Sequence, residues 1–338
     1  MIDVLVGGGG PAGLATALYG AQAGLEVAVV ERRIGAIDKA CGEGMMPHTL
    51  AHLAHLGVEA EGKPLNGIRY LDGDRQVEAT FRAGTGRGVL RTALHGALLQ
   101  AATNAGVRII HEEVTEVSQD ATSVRVNGLR ARYLAAADGL HSPIRRSLGL
   151  EQPSPGPRRW GIRRHVQMTP WSDFVEVHWA RGAEAYVTPV ADDCVGIAIL
   201  SSTRGGFDTH LDEFPALRAR MAGHAHGRDR AAGPLRQKAR SRTAGRVMLV
   251  GDAAGYIDAL TGEGMGLAFS AARLLVDCVV ADQPDRYDGQ WRRETRRYRM
   301  LTAALVKAGV HAGIRSRIVP AAMALPTVFA TAVNQLAY

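Results

Sequence analysis

Cysteine is scarce: Cys41, Cys194 and Cys278 are the only three in 338 residues. Three scattered thiols cannot build a disulfide framework, and a reducing, cytoplasmic compartment is the natural expectation. Long apolar runs are missing too. The longest near the C-terminus, Ile318 to Val333, is sixteen residues interrupted by Pro320 and Pro326, against the roughly 20 residues that a membrane-spanning helix needs. A strand that starts at residue 2 argues against a secretory leader, so none is expected. Internal repeats are absent. With 46% hydrophobic residues, the chain still has enough apolar surface for one large or two modest domains.

Acidic residues are outnumbered, giving a formal net charge of +7. The excess gathers in "RYDGQWRRETRRYRMLTAALVKAGVHAGIRSR", with nine Arg or Lys against two acids. No nucleic-acid motif accompanies it, so nucleic acid is not an expected partner. A solvated arginine-rich helix is the plain reading. Because an apolar tail follows directly, peripheral contact with an anionic membrane is the other.

Glycine, by contrast, is abundant at the start. In "DVLVGGGGPAGLATALYGAQAGLEVAVVERR" a buried strand is expected at Ile2 to Val6, a helix at Ala12 to Ala23 and a second strand at Leu25 to Val30. The glycines fit GxGxxG in two registers, Gly8/Gly10/Gly13 or the looser Gly7/Gly9/Ala12. The first places Pro11 in the opening helical turn, where a missing N–H costs nothing. Gly8 then makes the turn and Gly10 admits a pyrophosphate to the backbone. Gly13 lets the helix lie close on the sheet, and the N–H groups beyond Ala12 face the phosphates. Glu31, eighteen residues after Gly13, closes the second strand, where a carboxylate bonds a ribose hydroxyl. This disfavours a 2′-phosphate but does not separate FAD from NAD.

Two more segments carry polar residues at strand ends. "YLAAADGLHSPIRRSLGL" has a strand, Tyr133 to Ala137, running into Asp138-Gly139, with Ser142 and Arg145 completing DGxxSxxR. The cluster could also simply cap a helix starting near Pro143. In "GRVMLVGDAAGYIDALTGEGMGLAFSAARLLVD" the strand Val247 to Val250 ends at Gly251-Asp252. Gly262, Gly264 and Gly266 then open a helix from about Met265. Asp252 is placed to accept ribityl hydroxyls, and the glycine-rich helix start offers N–H groups to a pyrophosphate or a flavin pyrimidine oxygen.

These three motifs, in this order, resemble the group A flavoproteins, the para-hydroxybenzoate hydroxylase-like superfamily, over about residues 1–280. The resemblance implies an α/β fold: a Rossmann-like FAD-binding domain of the GR2 type, an inserted mainly antiparallel substrate sheet, and C-terminal helices. FAD is then the cofactor, with NADPH or NADH as a transient reductant, since no separate nicotinamide domain exists. Gly8, Gly10, Pro11, Ala12, Gly13, Glu31 and the neighbouring Arg32 would hold the ADP half. Arg91, in "GVLRTALHGALLQAA", matches the family's FAD-binding arginine. Asp138 and Gly139 match its DG motif. Asp252 would take the ribityl chain, and Gly262, Gly264, Met265 and Gly266 would lie against the isoalloxazine, with Gly251 at the turn.

Within the superfamily, "CGEG" at 41–44 and "GDAAG…TGEG" look like geranylgeranyl reductases. Hydroxylases usually carry His where Gly255 stands and prolines where Asp258 and Ala259 stand. The WxWxIP motif of flavin-dependent halogenases is absent, "RRWGIRRH" being the nearest stretch. The reductases' YxWxFP-type motif is replaced by "EAYVTPV". The expected reaction is NAD(P)H-dependent hydroxylation of a lipophilic aromatic or polyketide-like compound through a flavin C4a-hydroperoxide. Reduction or dehydrogenation of an alkene or prenyl chain is the alternative, and action on a partner protein is a third. Cys41 and Glu43 lie in a glycine-flanked loop expected near the ring edge, where the thiol could donate a proton or merely pack. Lys39 is a candidate partner for Glu43. His165 and Tyr186, on a segment that alternates like a sheet, are candidates for the substrate cavity. His48, His52 and His55, spaced i, i+4, i+7, read as a solvent-facing stripe rather than a metal site. Arg32, Arg33, Arg163 and Arg164 could meet a reductant but default to solvated arginines.

The expected organisation is a discontinuous FAD-binding domain (1–66, 84–152 and 236–282). Residues 67–83, a hairpin around Asp72-Gly73, and 153–235 form the substrate sheet, and 283–338 the C-terminal helices.

Overall fold

A computed structural model describes residues 1–337, apart from the side chain of Ala312; Tyr338, the last residue of the expected C-terminal helices, lies outside them. The chain opens as β1 (Ile2–Gly7), α1 (Pro11–Gln22) and β2 (Val27–Val30). Both strands are nearly unbroken apolar runs because both faces are covered, the condition under which alternation disappears. α1 lacks a polar stripe for the same reason, with Leu14, Ala15, Ala17 and Leu18 all buried.

The chain then leaves this layer through α2 (Pro47–His55) and the hairpin of β3 (Gly67–Asp72) and β4 (Arg75–Thr80), where Gly73 takes φ 59° in the turn. It returns through α3 (Arg91–Asn104), β5 (Arg108–Ile110), β6 (Leu129–Ala136) and the short α4 (Pro143–Ser147). An antiparallel run follows: β7 (Trp160–Gln167), β8 (Phe174–Trp179), β9 (Ala183–Ala191) and β10 (Cys194–Ser201), with β11 (Arg230–Ala232) at its edge. β12 (Val247–Leu249) rejoins the first layer before α5 (Gly264–Val280), α6 (Arg286–Val310), α7 (Ile318–Ala324) and α8 (Pro326–Leu336).

Two large sheets result. The first has five parallel strands in the order β12–β6–β1–β2–β5, flanked by short antiparallel strands at 117–119, 124–126 and 243–244. Gly7 is level with Val30 and Ala136, and Ala136 with Leu249. Four strands therefore end at one edge, with β1 between β2 and β6. A crevice opens at such a switch point, and parallel sheets bind ligands there. The second sheet has the order β11–β7–β10–β9–β8–β3–β4. The parallel pairing of β8 with β3 draws the hairpin into it.

Apolar cores form around the first sheet and on both faces of the second. On one face Val177 and Trp179 pack with Val306, Val319 and Phe329 of the C-terminal helices. On the other, Val187 and Ile197 pack with Phe207 and Leu217. A small sheet of Gly44–Met45, Gly86–Gly88 and Lys63–Leu65 joins the layers. Gly88 lies so close to β9 that a Cβ there would sit 1.7 Å from the Pro189 carbonyl.

Two sequence expectations are overturned here. The His48/His52/His55 stripe does not face solvent. His52 bonds the Tyr19 hydroxyl at 2.8 Å and Ser270 at 3.0 Å, and His48 meets Ala337 and Glu263; only His55 is exposed. The helical wheel failed because α2 is covered on that side by α1, α5 and α8. Arg163 and Arg164 are likewise buried rather than solvated, because carboxylates reach them from other segments: Asp38 for Arg163, and Asp208 and Asp229 for Arg164. Among the described residues no single helix is long and apolar enough to cross a membrane.

Candidate functional site

The glycine-rich turn sits where β1 ends. Gly8 takes φ 111°, and a Cβ there would lie 2.5 Å from the Ala137 carbonyl. At Gly13 a Cβ would come within 1.9 Å of the Gly8 carbonyl, so helix and turn touch backbone to backbone. Gly10 is the opposite case. A Cβ there meets nothing within 4 Å, leaving open space before the N-terminus of α1, which attracts anions.

Glu31, buried at the end of β2, accepts the Gly9 N–H at 2.9 Å and the Arg33 Nε at 2.8 Å. Burial alone would raise its carboxyl, but the hydrogen bonds from Arg33 and Gly9 hold it below its usual range. Each carboxylate oxygen already accepts two bonds, from Gly9 and from the main and side chain of Arg33, so a ribose hydroxyl would take the place of an Arg33 contact. Arg32 is not brought to this place. Its guanidinium is exposed and pairs with Glu113.

His95, which the sequence did not single out, supports the turn from α3. The Ile37 N–H donates to its Nδ1 at 3.4 Å, so its Nε2 carries the proton and donates to the Gly9 carbonyl at 2.9 Å. Burial keeps this imidazole neutral by lowering its pKa. Its spacing one turn after Arg91 was the available signal.

The DGxxSxxR segment is partly the helix cap that its spacing allowed. Asp138 Oδ2 accepts the Ile144 N–H at 2.9 Å, and Ser142 Oγ accepts the Arg145 N–H at 2.9 Å. Arg145 is fully buried and bolts two motifs together, donating to the carbonyls of Leu140 and Ala253, each at 3.0 Å. Gly139 takes φ 89° beneath Lys39, whose Nζ lies 3.4 Å from where a Cβ would stand. Lys39 therefore serves the crevice rather than Glu43. Asp252 stands at the end of β12, exposed to that crevice. The surrounding protein raises its carboxyl, with Lys39, Arg91 and Arg145 opposing. Gly251 nearly touches α1, since a Cβ there would lie 2.6 Å from that of Ala12.

The loop Cys41–Gly44 lies across the second sheet. β7, β10 and β9 place His165, Gly196 and Thr188 side by side. Thr188 Oγ1 donates to the Gly42 carbonyl at 2.8 Å, and His165 Nε2 meets Glu43 Oε2 at 2.7 Å. Gly196 makes room between them: a Cβ there would lie 2.7 Å from the same Oε2. Glu43 is buried at φ 59°, an uncommon conformation for a residue with a side chain. Its Oε1 accepts the Arg91 N–H at 2.8 Å, so it caps α3 and fixes the arginine beside the crevice. The Glu43 N–H in turn donates to Cys41 Sγ at 3.4 Å. Burial pushes the Cys41 thiol up, Arg91 opposing and Glu43 adding, so it holds its proton at neutral pH.

Tyr186 is not joined to this group. Its hydroxyl donates to the Leu260 carbonyl at 2.9 Å, in the loop before α5. In that loop Gly262 takes φ 71°, and Gly264 and Met265 begin the helix. Gly266 allows His48 to approach, since a Cβ there would sit 2.0 Å from its Nε2. His48 Nδ1 must donate to the Ala337 carbonyl at 3.0 Å, so its Nε2 accepts, and Glu263 Oε2 at 3.2 Å carries the proton. Burial agrees with that assignment, driving Glu263 up and His48 down.

Asp258 of the same loop lies in a buried ionic group with Arg159, Glu184 and Arg315. Burial raises its pKa to about 6, with Arg159 opposing. Folding therefore takes up a proton between the unfolded aspartate value and pH 6, so stability is highest below that window and falls as pH rises through it. Asp258→Asn is accordingly expected to stabilise the protein more at pH 8 than at pH 5, by about 1 kcal/mol. Thermal melts at the two pH values check this; an equal shift at both would refute it.

The residues fit a flavin dinucleotide. Gly10 leaves a cradle for phosphate, Arg91 Nε and Asp138 Oδ1 are buried without partners, and Asp252 faces Lys39 and Arg91 across the crevice. Residues 1–207 match the family described as FAD binding domain. The chain belongs to that family. This FAD-binding protein is a FAD-dependent oxidoreductase, and relatives named as reductases and hydroxylases are among those it matches. It is 27% identical over 322 residues to the menaquinone reductase of Mycobacterium tuberculosis, covering 82% of this chain and 76% of that protein. It is 25% identical over 374 residues to a 3-(3-hydroxy-phenyl)propionate/3-hydroxycinnamic acid hydroxylase of Mycobacterium sp. (strain JLS), covering 96% of this chain and 64% of the relative. The fold matches a geranylgeranyl bacteriochlorophyll reductase-like protein of Thermoplasma acidophilum with a TM-score of 0.77 at 20% identity, over 94% of this chain and 90% of that one.

Proposed function

We propose that this flavoprotein is a monooxygenase that draws electrons from NADH or NADPH and hydroxylates a lipophilic aromatic or polyketide-like compound. The observation that carries the reading is an aromatic-lined hollow beside the loop before α5, walled by Tyr256, Ile257, Leu267, Trp291 and Tyr298, with Gly251 and Asp252 of the crevice among its lining. Such walls suit an apolar ring, exclude water and fix its orientation.

FAD, when bound, supplies the redox chemistry by accepting a hydride and passing its electrons on. Gly8 to Gly13, Glu31, Arg91, Asp138, Gly139 and Asp252 would hold it, with Gly262 to Gly266 beside its ring. The Glu43–His165 pair is the group suited to hold a phenol proton, a contribution of about 10²–10⁴-fold. Hydroxylases among the relatives support this substrate class. Cys41 favours a second reading, reduction of an alkene in a lipid-like substrate. A thiol that keeps its proton can donate it to carbon, and the relatives named menaquinone reductase support that reaction.

With a phenolic probe under ¹⁸O₂, NAD(P)H consumption is expected to rise and one labelled oxygen to appear in the product by mass spectrometry. Anaerobic saturation of a menaquinone double bond, with no label taken up in air, would establish reduction instead.

A further inference from the structure

The C-terminal helices carry a surface that neither the crevice nor the hollow uses. After Glu294 the sequence holds six Arg or Lys and no Asp or Glu, and all but Arg315, which is buried against Glu184, are available to the surface. In the same stretch Met300, Val310, Ile314, Met323, Leu325 and Val328 are exposed. Val319, Phe329 and Val333 already fill the inward face against the second sheet, so α7 and α8 are apolar on two sides. An amphipathic helix that only covers a core has no need of the second. The segments Gly313–Ala324 and Pro326–Leu336 meet at 105°, and Leu325, at the corner, is 58% exposed, with Val328 at 61%. Arg317, at the start of α7, and Lys307 are exposed as well.

We propose that this face docks on an anionic membrane surface, with the Met323–Val328 corner inserted among the acyl chains and the basic side chains at the headgroups. Protruding apolar residues with cations and no acids match such an interface in both hydrophobicity and charge. A second copy of the same face fits less well, because a two-fold contact would set like charges against each other. The far end of α8 touches the loop at the flavin site, through the Ala337–His48–Glu263 contacts. The face begins at Met300 on α6, the helix whose Trp291 and Tyr298 wall the hollow where a lipophilic compound would arrive. The inference does not depend on whether that compound is hydroxylated or reduced.

The test is sedimentation of the FAD-loaded protein with phosphatidylglycerol/phosphatidylcholine vesicles. Binding is expected there, at least about tenfold weaker on phosphatidylcholine alone and weaker as salt rises. Leu325→Glu/Val328→Glu is expected to reduce binding about tenfold while the flavin spectrum and sedimentation coefficient stay unchanged. Lys307→Glu/Arg317→Glu, at exposed positions, provides the same test through charge if the first variant folds poorly. Wild-type protein that ignores anionic vesicles, or variants that bind like wild type, would overturn the proposal. So would a wild-type dimer that the first variant converts to monomer, which would assign the face to a second copy.

Discussion

Glu43→Ala is expected to lower stability by about 3–5 kcal/mol, the range for removing one partner of a buried charged pair. Two groups lose their acceptor together, His165 Nε2 and the Arg91 N–H at the start of α3, and the buried Arg163, whose Nε lies 4.0 Å from Oε2, loses a neighbouring carboxylate. Two further substitutions separate the causes. Glu43→Gly also relieves the left-handed backbone and is expected to be about 1 kcal/mol more stable than Glu43→Ala. Glu43→Gln keeps an oxygen for the Arg91 N–H and is expected to lose about 1–3 kcal/mol. Denaturant titration gives the order, and FAD titration by fluorescence should show Glu43→Ala binding the flavin least. An alanine variant as stable as wild type would mean that the carboxylate does not join the layers.

The second large effect is a contrast between two glycines three positions apart. Gly13→Ala is expected to cost at least about 3 kcal/mol and to yield colourless protein, because the methyl lands 1.9 Å from the Gly8 carbonyl and overpacking against backbone has no side chain to move aside. Gly10→Ala should leave the fold within about 0.5 kcal/mol of wild type, since nothing lies within 4 Å of its Cβ. Its cost should fall on FAD, whose affinity is expected to drop about 10–100-fold as the methyl displaces charge-assisted contacts to the pyrophosphate. Thermal melts without flavin and titrations with it measure the two effects separately. Equal stability losses in both variants would remove the distinction between a packing glycine and a cradle glycine.

How far the site could be read from sequence follows the range of the interactions involved. The opening strand, helix and strand lie within a residue or two of where periodicity places them, because short apolar runs punctuated by glycine encode local structure directly. Helix α5 starts at Gly264 and α4 at Pro143 for the same reason. The α2 histidines misled because helical periodicity records that two faces differ, not what covers each. The place of Lys39 at the crevice, the bond from His95 to Gly9 and the buried state of Arg163 and Arg164 are not written in local spacing. Their partners are supplied by other segments, as in the 86-residue separation between His95 and Gly9.

By itself, then, the sequence determined an α/β FAD-binding protein, since glycine spacing, strand-end acids and apolar runs act within one turn or one strand. The tertiary structure alone decided that Glu43 and His165, 122 residues apart, share a hydrogen bond, that Arg145 bolts two motifs together, and that the C-terminal helices expose a second apolar face. Those outcomes depend on which sheet passes beside which loop. Pairing between distant segments is fixed by the packing of the whole chain, and no short stretch of residues contains it.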